Sequence, residues 1–88
     1  MTREDIIEFA EESEVEIPLF DNPSYDTAII GLTTNDEVAY DYDLMIKYLM
    51  EQDNCTVEDA TEFIDYNTIR ALSYFGVENK PIIIRTRL

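Results

Sequence analysis

Thr27-Ala28-Ile29-Ile30-Gly31-Leu32 is followed by Thr33-Thr34-Asn35-Asp36-Glu37 and then by Val38-Ala39-Tyr40-Asp41-Tyr42. Two short runs rich in β-branched and aromatic residues flank five mostly polar ones. The connection has hairpin length, and its Asn35 and Asp36 suit the special backbone angles of a turn. Residues 27–32 and 38–42 are therefore expected to pair as two strands. Downstream, Asp43 can cap a helix in which Leu44, Met45, Ile46, Tyr48, Leu49 and Met50 leave only Lys47 and the last residues clearly polar. That composition encloses the helix on most sides and places it centrally in the core.

Thr56 with Asp59 is a capping signature, and Val57, Ala60, Phe63 and Ile64 mark the buried stripe of a further helix, with Glu58, Asp59, Glu62 and Asp65 outside it. The apolar phase then shifts at Ile69, Leu72, Tyr74 and Phe75, so Asn67 or Thr68 restarts the helix as a short fourth piece, which Gly76 stops. Pro81 opens Ile82-Ile83-Ile84-Arg85-Thr86-Arg87, a β-branched run expected to add a third strand to the hairpin. Upstream, Thr2 and Asp5 resemble a capping box for a helix over residues 3–13. Ile6, Ile7, Phe9 and Ala10 form its buried stripe, and Glu4, Glu8, Glu11 and Glu12 a ladder of anions opposite. Val15, Ile17 and Leu19 alternate with polar positions, but Pro18 cannot donate to a ladder, which leaves an edge or merely extended segment. Asp21-Asn22-Pro23-Ser24 is loop chemistry. The expected architecture is α+β, in the order α-β-β-α-α-β. A small, three-stranded, antiparallel-leaning sheet packs against three to four helices in a single domain over residues 1–88.

Charge is distributed very unevenly. Residues 4–46 hold thirteen carboxylates and no Lys, Arg or His. Residues 1–69 carry a formal charge of −17 and residues 70–88 carry +3, which together make the net −14. Such a balance costs folding free energy through self-repulsion, and it projects a field that attracts basic partners and repels nucleic acid and anionic membranes. Direct nucleic-acid binding is excluded on this ground, since every phosphate would approach against that field. The plentiful aromatics, with four Phe and six Tyr, separate the chain from acidic disordered tails. The single cysteine, Cys55, has no partner for an internal disulfide and no basic neighbour, which fits a reducing cytosol. No apolar run approaches the ~18 residues needed to cross a bilayer, and residues 1–5 lack the apolar segment of an export signal. A cytoplasmic protein with no membrane partner is expected.

The residues for familiar catalysis are missing. Without histidine the chain lacks the usual general base and commonest metal ligand, and Cys55 has no His to form a dyad. Asp41-Tyr42-Asp43 is the nearest approach to a carboxylate pair, and it reads as a strand end followed by a helix cap. Asp53-Asn54-Cys55 fails the calcium-loop pattern. With only Gly31 and Gly76 there is no glycine-rich phosphate cradle. No catalytic, cofactor-binding or metal-binding residue is assigned. Arg85 and Arg87 share a face with Ile83 on the expected third strand, where they meet either solvent or the acidic body of the protein.

Binding through charge is the leading expectation. The acidic run divides into two candidate contact patches: the helical ladder with Glu8, Glu11 and Glu12, and a hairpin cluster with Asp36, Glu37, Asp41 and Asp43. Tyr40 and Tyr42 stand beside the hairpin acids, and Tyr is favoured where binding energy concentrates. Twenty carboxylates approach the charge count of a short duplex, so counterion release from a basic groove would drive association and competition with DNA would be the mechanism. The alternative is a non-catalytic adaptor or regulatory domain whose acidity serves solubility and whose recognition lies in an apolar patch. The exposed edge of a three-stranded sheet could also pair across a homodimer.

Ala39-Tyr40-Asp41-Tyr42-Asp43-Leu44-Met45, Tyr48-Leu49-Met50-Glu51 and Glu62-Phe63-Ile64-Asp65-Tyr66-Asn67-Thr68-Ile69-Arg70-Ala71-Leu72 resemble small acidic uncharacterised proteins carried by phages and prophages of Firmicutes. Size and acidity are similar, more loosely, to phage anti-CRISPR proteins. That likeness implies an inhibitor that covers the basic surface of a nucleic-acid-binding nuclease such as Cas9. It carries no functional residue over to this chain.

Overall fold

A computed structural model describes residues 1–87. The hairpin forms as expected, in a trimmed form. Strand β1 is Ile29–Leu32 and β2 is Val38–Asp41, antiparallel, with Ile29 opposite Tyr40, Gly31 opposite Ala39 and Leu32 opposite Val38. The register slips between Ile29 and Gly31, a bulge that turns Ile30 outward. Thr27 and Ala28 belong instead to a single 3₁₀ turn, Asp26–Ala28. Between the strands Asp36 takes the left-handed conformation (φ 62°), which an Asp tolerates because its short polar side chain bonds locally. The turn is closed by the Thr33 amide donating to Glu37 O (2.9 Å) and the Asp36 amide to Thr33 O (3.0 Å).

Strand β3, Ile82–Ile84, lies beside β2 as expected, but it runs parallel to it, pairing Ala39 with Ile82 and Asp41 with Ile84. The sheet is therefore mixed, in the order β1-β2-β3. A parallel pair needs a long crossover, and the two helices between β2 and β3 supply it. As the middle strand, β2 is buried along its whole length.

Helix α1, Arg3–Ser13, has the expected capping box, with the Asp5 amide donating to Thr2 Oγ1 (3.1 Å) and the Thr2 amide to Asp5 Oδ2 (2.9 Å). Its buried stripe is narrower than expected. Ile6 is enclosed and Ala10 half-buried, while Ile7 and Phe9 stay substantially exposed. The segment after it pairs with no strand, and it drops Ile17 and Phe20 into the core as extended chain.

Helix α2, Tyr42–Asp53, starts earlier than expected: Asp41, rather than Asp43, is its cap, accepting from the Leu44 amide (3.0 Å). The next helix, α3, begins at Val57 behind its Thr56 cap and does not break at Asn67 or Thr68. Its α-turns Val57–Phe63 pass into a π turn, Ile64–Thr68, then Ile69–Ala71 and a 3₁₀ turn, Leu72–Tyr74. The extra residue of the π turn absorbs the phase shift that suggested two helices, and it keeps Ala60, Ile64 and Thr68, four apart each time, facing inward. Val57 and Phe63, expected in that stripe, lie partly outside it. Gly76, with φ 69°, ends the helical stretch in the conformation that favours glycine.

Phe20 stands at the centre of the core. Its ring meets Tyr25 (5.6 Å, edge-on), Tyr40 (4.7 Å) and Phe75 (5.9 Å), and Met45, Leu49 and Ile64 close the cluster around it. Each such side chain contributes ~1.5–3 kcal/mol by leaving water. No buried side-chain polar atom lacks a hydrogen-bond partner among the described residues.

Candidate functional site

The nine candidate contact residues separate by depth. Glu8, Glu11 and Glu12 are exposed on α1, and Asp43 is exposed on the first turn of α2. Asp36 and Glu37 are half-buried at the hairpin turn, where the Glu37 carboxylate accepts from Thr33 Oγ1 (2.9 Å). Tyr40, Asp41 and Tyr42 are a correction to the surface expected from sequence, because all three are buried. As the middle strand of this sheet, β2 is covered on both faces.

Each of the three is engaged internally. The Tyr40 hydroxyl accepts from the Phe20 amide (3.1 Å), and burial raises the Tyr40 pKa. Asp41, besides capping α2, accepts from Thr86 Oγ1 at 2.5 Å. That bond, more than the cap, holds its carboxyl below the ordinary carboxylate range. The Tyr42 hydroxyl donates to Asp65 (3.1 Å), and the Arg85 guanidinium lies 4.7 Å from the centre of the Tyr42 ring. Burial first, and the Asp65 bond second, raise the Tyr42 pKa. Arg85 thus meets an aromatic face where sequence offered solvent or acidic groups.

Helix α1 and the hairpin turn meet along two neighbouring grooves. A groove of about 480 Å³ between α1 and the hairpin turn is lined by Asp5, Ile6 and Phe9 on one side and Leu32, Thr34 and Asp36 on the other. A second, of about 560 Å³, runs from Asp36 and Glu37 to Glu78. Asn79 fixes this junction by donating to Glu16 O (2.8 Å) and Asp36 O (3.3 Å), which ties the loop after α3 to the turn and to the exit of α1. Asp36 borders both grooves. Glu8, Glu11 and Glu12, exposed on α1, line neither groove; the acid that α1 contributes is Asp5. Asp43 lies beyond the other end of β2, outside this surface. Glu78 was not singled out from the sequence, because a lone acid in a basic segment gives no sign that the fold returns it to the acid-rich half.

Almost none of this charge is neutralised internally. Among the described residues the one ion pair is Arg3 with Asp26 (2.8 Å). Arg3 also donates to Phe20 O, anchoring α1 to the segment that fills the core. The carboxyl of Asp5 is held below its usual range by the Thr2 amide, so it stays ionised at the groove. No group of three or more candidate metal-ligating side chains comes together among the described residues. None of the described helices is long and apolar enough to cross a membrane. No protein family, curated protein or solved structure matches this chain.

Proposed function

We propose that this chain is an acidic inhibitor-type protein that occupies the basic nucleic-acid-binding surface of a partner protein and competes there with DNA or RNA. The resemblance to phage proteins makes a nuclease of the Cas9 type the partner of choice and the host cytoplasm the place of action. The observation that carries the reading is the surface around Asp36, where two grooves meet that present Asp5, Glu37 and Glu78 in a molecule with one internal ion pair among its described residues. Phe9 and Leu32 floor the groove, so a basic side chain from a partner can lay its aliphatic stem on them while its charged head reaches Asp5 and Asp36.

The test is affinity capture of basic nucleic-acid-binding proteins at low and high salt, followed by displacement with duplex DNA. Capture that weakens steeply with salt and is reversed by DNA supports the proposal. Binding indifferent to both would sink it. The alternative reading, a non-catalytic adaptor, is favoured by the exposed apolar groups Ile69 and Ile84, and it predicts recognition that survives high salt.

A further inference from the structure

The sheet has one edge that combines three properties found together nowhere else among the described residues. β3 pairs only with β2, so its outer edge has no strand beside it. An open cleft of about 610 Å³ is lined by every residue from Lys80 to Arg85, so it follows the strand lengthwise, with Tyr42, Asp65, Ile69 and Leu72 on its far side. That volume lies within the range of ~300–1,000 Å³ typical of ligand clefts. Its two ends carry cations, Lys80 and Arg85, in a protein of net charge −14.

We propose that this cleft binds an extended peptide segment of a partner protein, bearing apolar side chains at alternate positions and carboxylates between them, added as a fourth strand along β3. Strand addition supplies main-chain hydrogen bonds from the unpaired edge, and pockets for alternate side chains supply the selectivity. Ile69 and Leu72 form the apolar wall on α3, and Ile69 is 43% exposed with nothing covering it. Charge decides the rest of the occupant. The one carboxylate of the cleft, Asp65, already accepts from Tyr42, while neither Lys80 nor Arg85 pairs with a carboxylate among the described residues. Five residue steps along β3 and its flanks separate the two cations, roughly 16 Å at ~3.3 Å per step, which a peptide of five or six residues spans.

A second copy of this chain fits less well. Antiparallel pairing of two β3 edges would set Lys80 of one copy against Arg85 of the other, and like charges opposed across strands destabilise the pair. This proposal is independent of the acidic surface around Asp36, which lies on other elements.

The test is an amide-resolved NMR titration of the whole chain with a blocked pentapeptide alternating valine and glutamate, against one alternating valine and lysine. The glutamate peptide should shift the amides of Lys80, of residues 82–85 and of residues 65–72. It should bind at least about tenfold more tightly than the lysine peptide and lose about tenfold in Lys80→Glu/Arg85→Glu. The comparison of the two peptides on the native chain stands even if that variant fails to fold. The proposal is overturned if shifts are absent or fall elsewhere, if the two peptides bind equally, or if residues 80–85 broaden with protein concentration alone, as a second copy in the cleft would cause.

Discussion

The hydroxyls of Tyr25 and Thr68, 43 positions apart in the chain, share a hydrogen bond of 2.5 Å inside the core. It joins the loop before β1 to the π turn of α3, so it locks the irregular segment of the helix to the irregular segment that precedes the sheet. Tyr25 itself sits in the left-handed conformation (φ 52°), a strain that holds its ring among Phe20 and Tyr48. Tyr25→Phe strands the Thr68 hydroxyl without a partner and should cost ~1–3 kcal/mol in denaturant unfolding. Thr68→Val should cost a similar amount. The double variant should lose clearly less than the two single losses combined, since no orphaned hydroxyl then remains.

Burial pushes the Tyr25 hydroxyl up to about 12, and burial also raises Tyr40 and Tyr42. A raised folded pKa means that the stabilisation is complete below the unfolded value of ~10 and is lost as pH rises through the folded value. Phenolate absorbance should therefore show some tyrosines ionising late, together with the loss of folded circular dichroism between about pH 10 and 12. Early ionisation of all six would contradict the burial.

Asp41 carries the opposite sign. Its lowered folded pKa contributes stability that is present above the ordinary carboxylate value of ~3.9 and is lost as pH falls through the lower folded value. Asp41→Ala removes both the α2 cap and the acceptor of Thr86 and should cost ~1–3 kcal/mol at neutral pH. Asp41→Asn keeps the oxygen that caps Leu44 and should cost less. A thermal-melt series from pH 7 to pH 2 on the three proteins would show the difference shrinking in acid.

Salt should raise the melting temperature. Self-repulsion among the carboxylates is screened over a Debye length of ~10 Å at 0.1 M, whereas the one ion pair among the described residues, Arg3 with Asp26, is partly exposed and contributes at most ~1 kcal/mol. A melting temperature that falls with added sodium chloride would show that attractive pairs dominate instead.

For the proposed partner surface, Asp36→Lys should slow association with a basic partner by about fivefold or more at low salt. Asp43→Lys alone, on the far side of β2, should change it far less. Stopped-flow mixing separates the two, and equal effects would mean that only net charge matters.

Sequence reading recovers the element order, the capping box of α1, the Thr56 cap of α3, the hairpin and its turn, because each rests on neighbours within a few residues. It misjudges the depth of Tyr40, Asp41 and Tyr42. Which faces of β2 are covered depends on β3, whose partner residues lie more than forty positions away and whose direction no local pattern sets. Sequence reading gives the cap of α2 to Asp43, whereas Asp41 holds it, accepting from the Leu44 amide three residues on and from Thr86, 45 positions away, which no local pattern announces. The break expected near Thr68 is a sound reading of phase with the wrong remedy, since a helix can absorb one residue in a π turn as well as stop and restart. The meeting of the hairpin turn with Glu78 and the exit of α1 is tied by Asn79, a residue that carries no charge and has no motif to announce it.

The parallel docking of β3 also has a consequence in time. The hairpin and α2 are close along the chain and can form early, while the pairing of β3 with β2 and the clasp of Thr86 on Asp41 close a loop of 45 residues. The piece that closes late is positively charged, and the body awaiting it is strongly negative. Long-range attraction should therefore speed the final step, so salt that raises equilibrium stability should at the same time slow refolding.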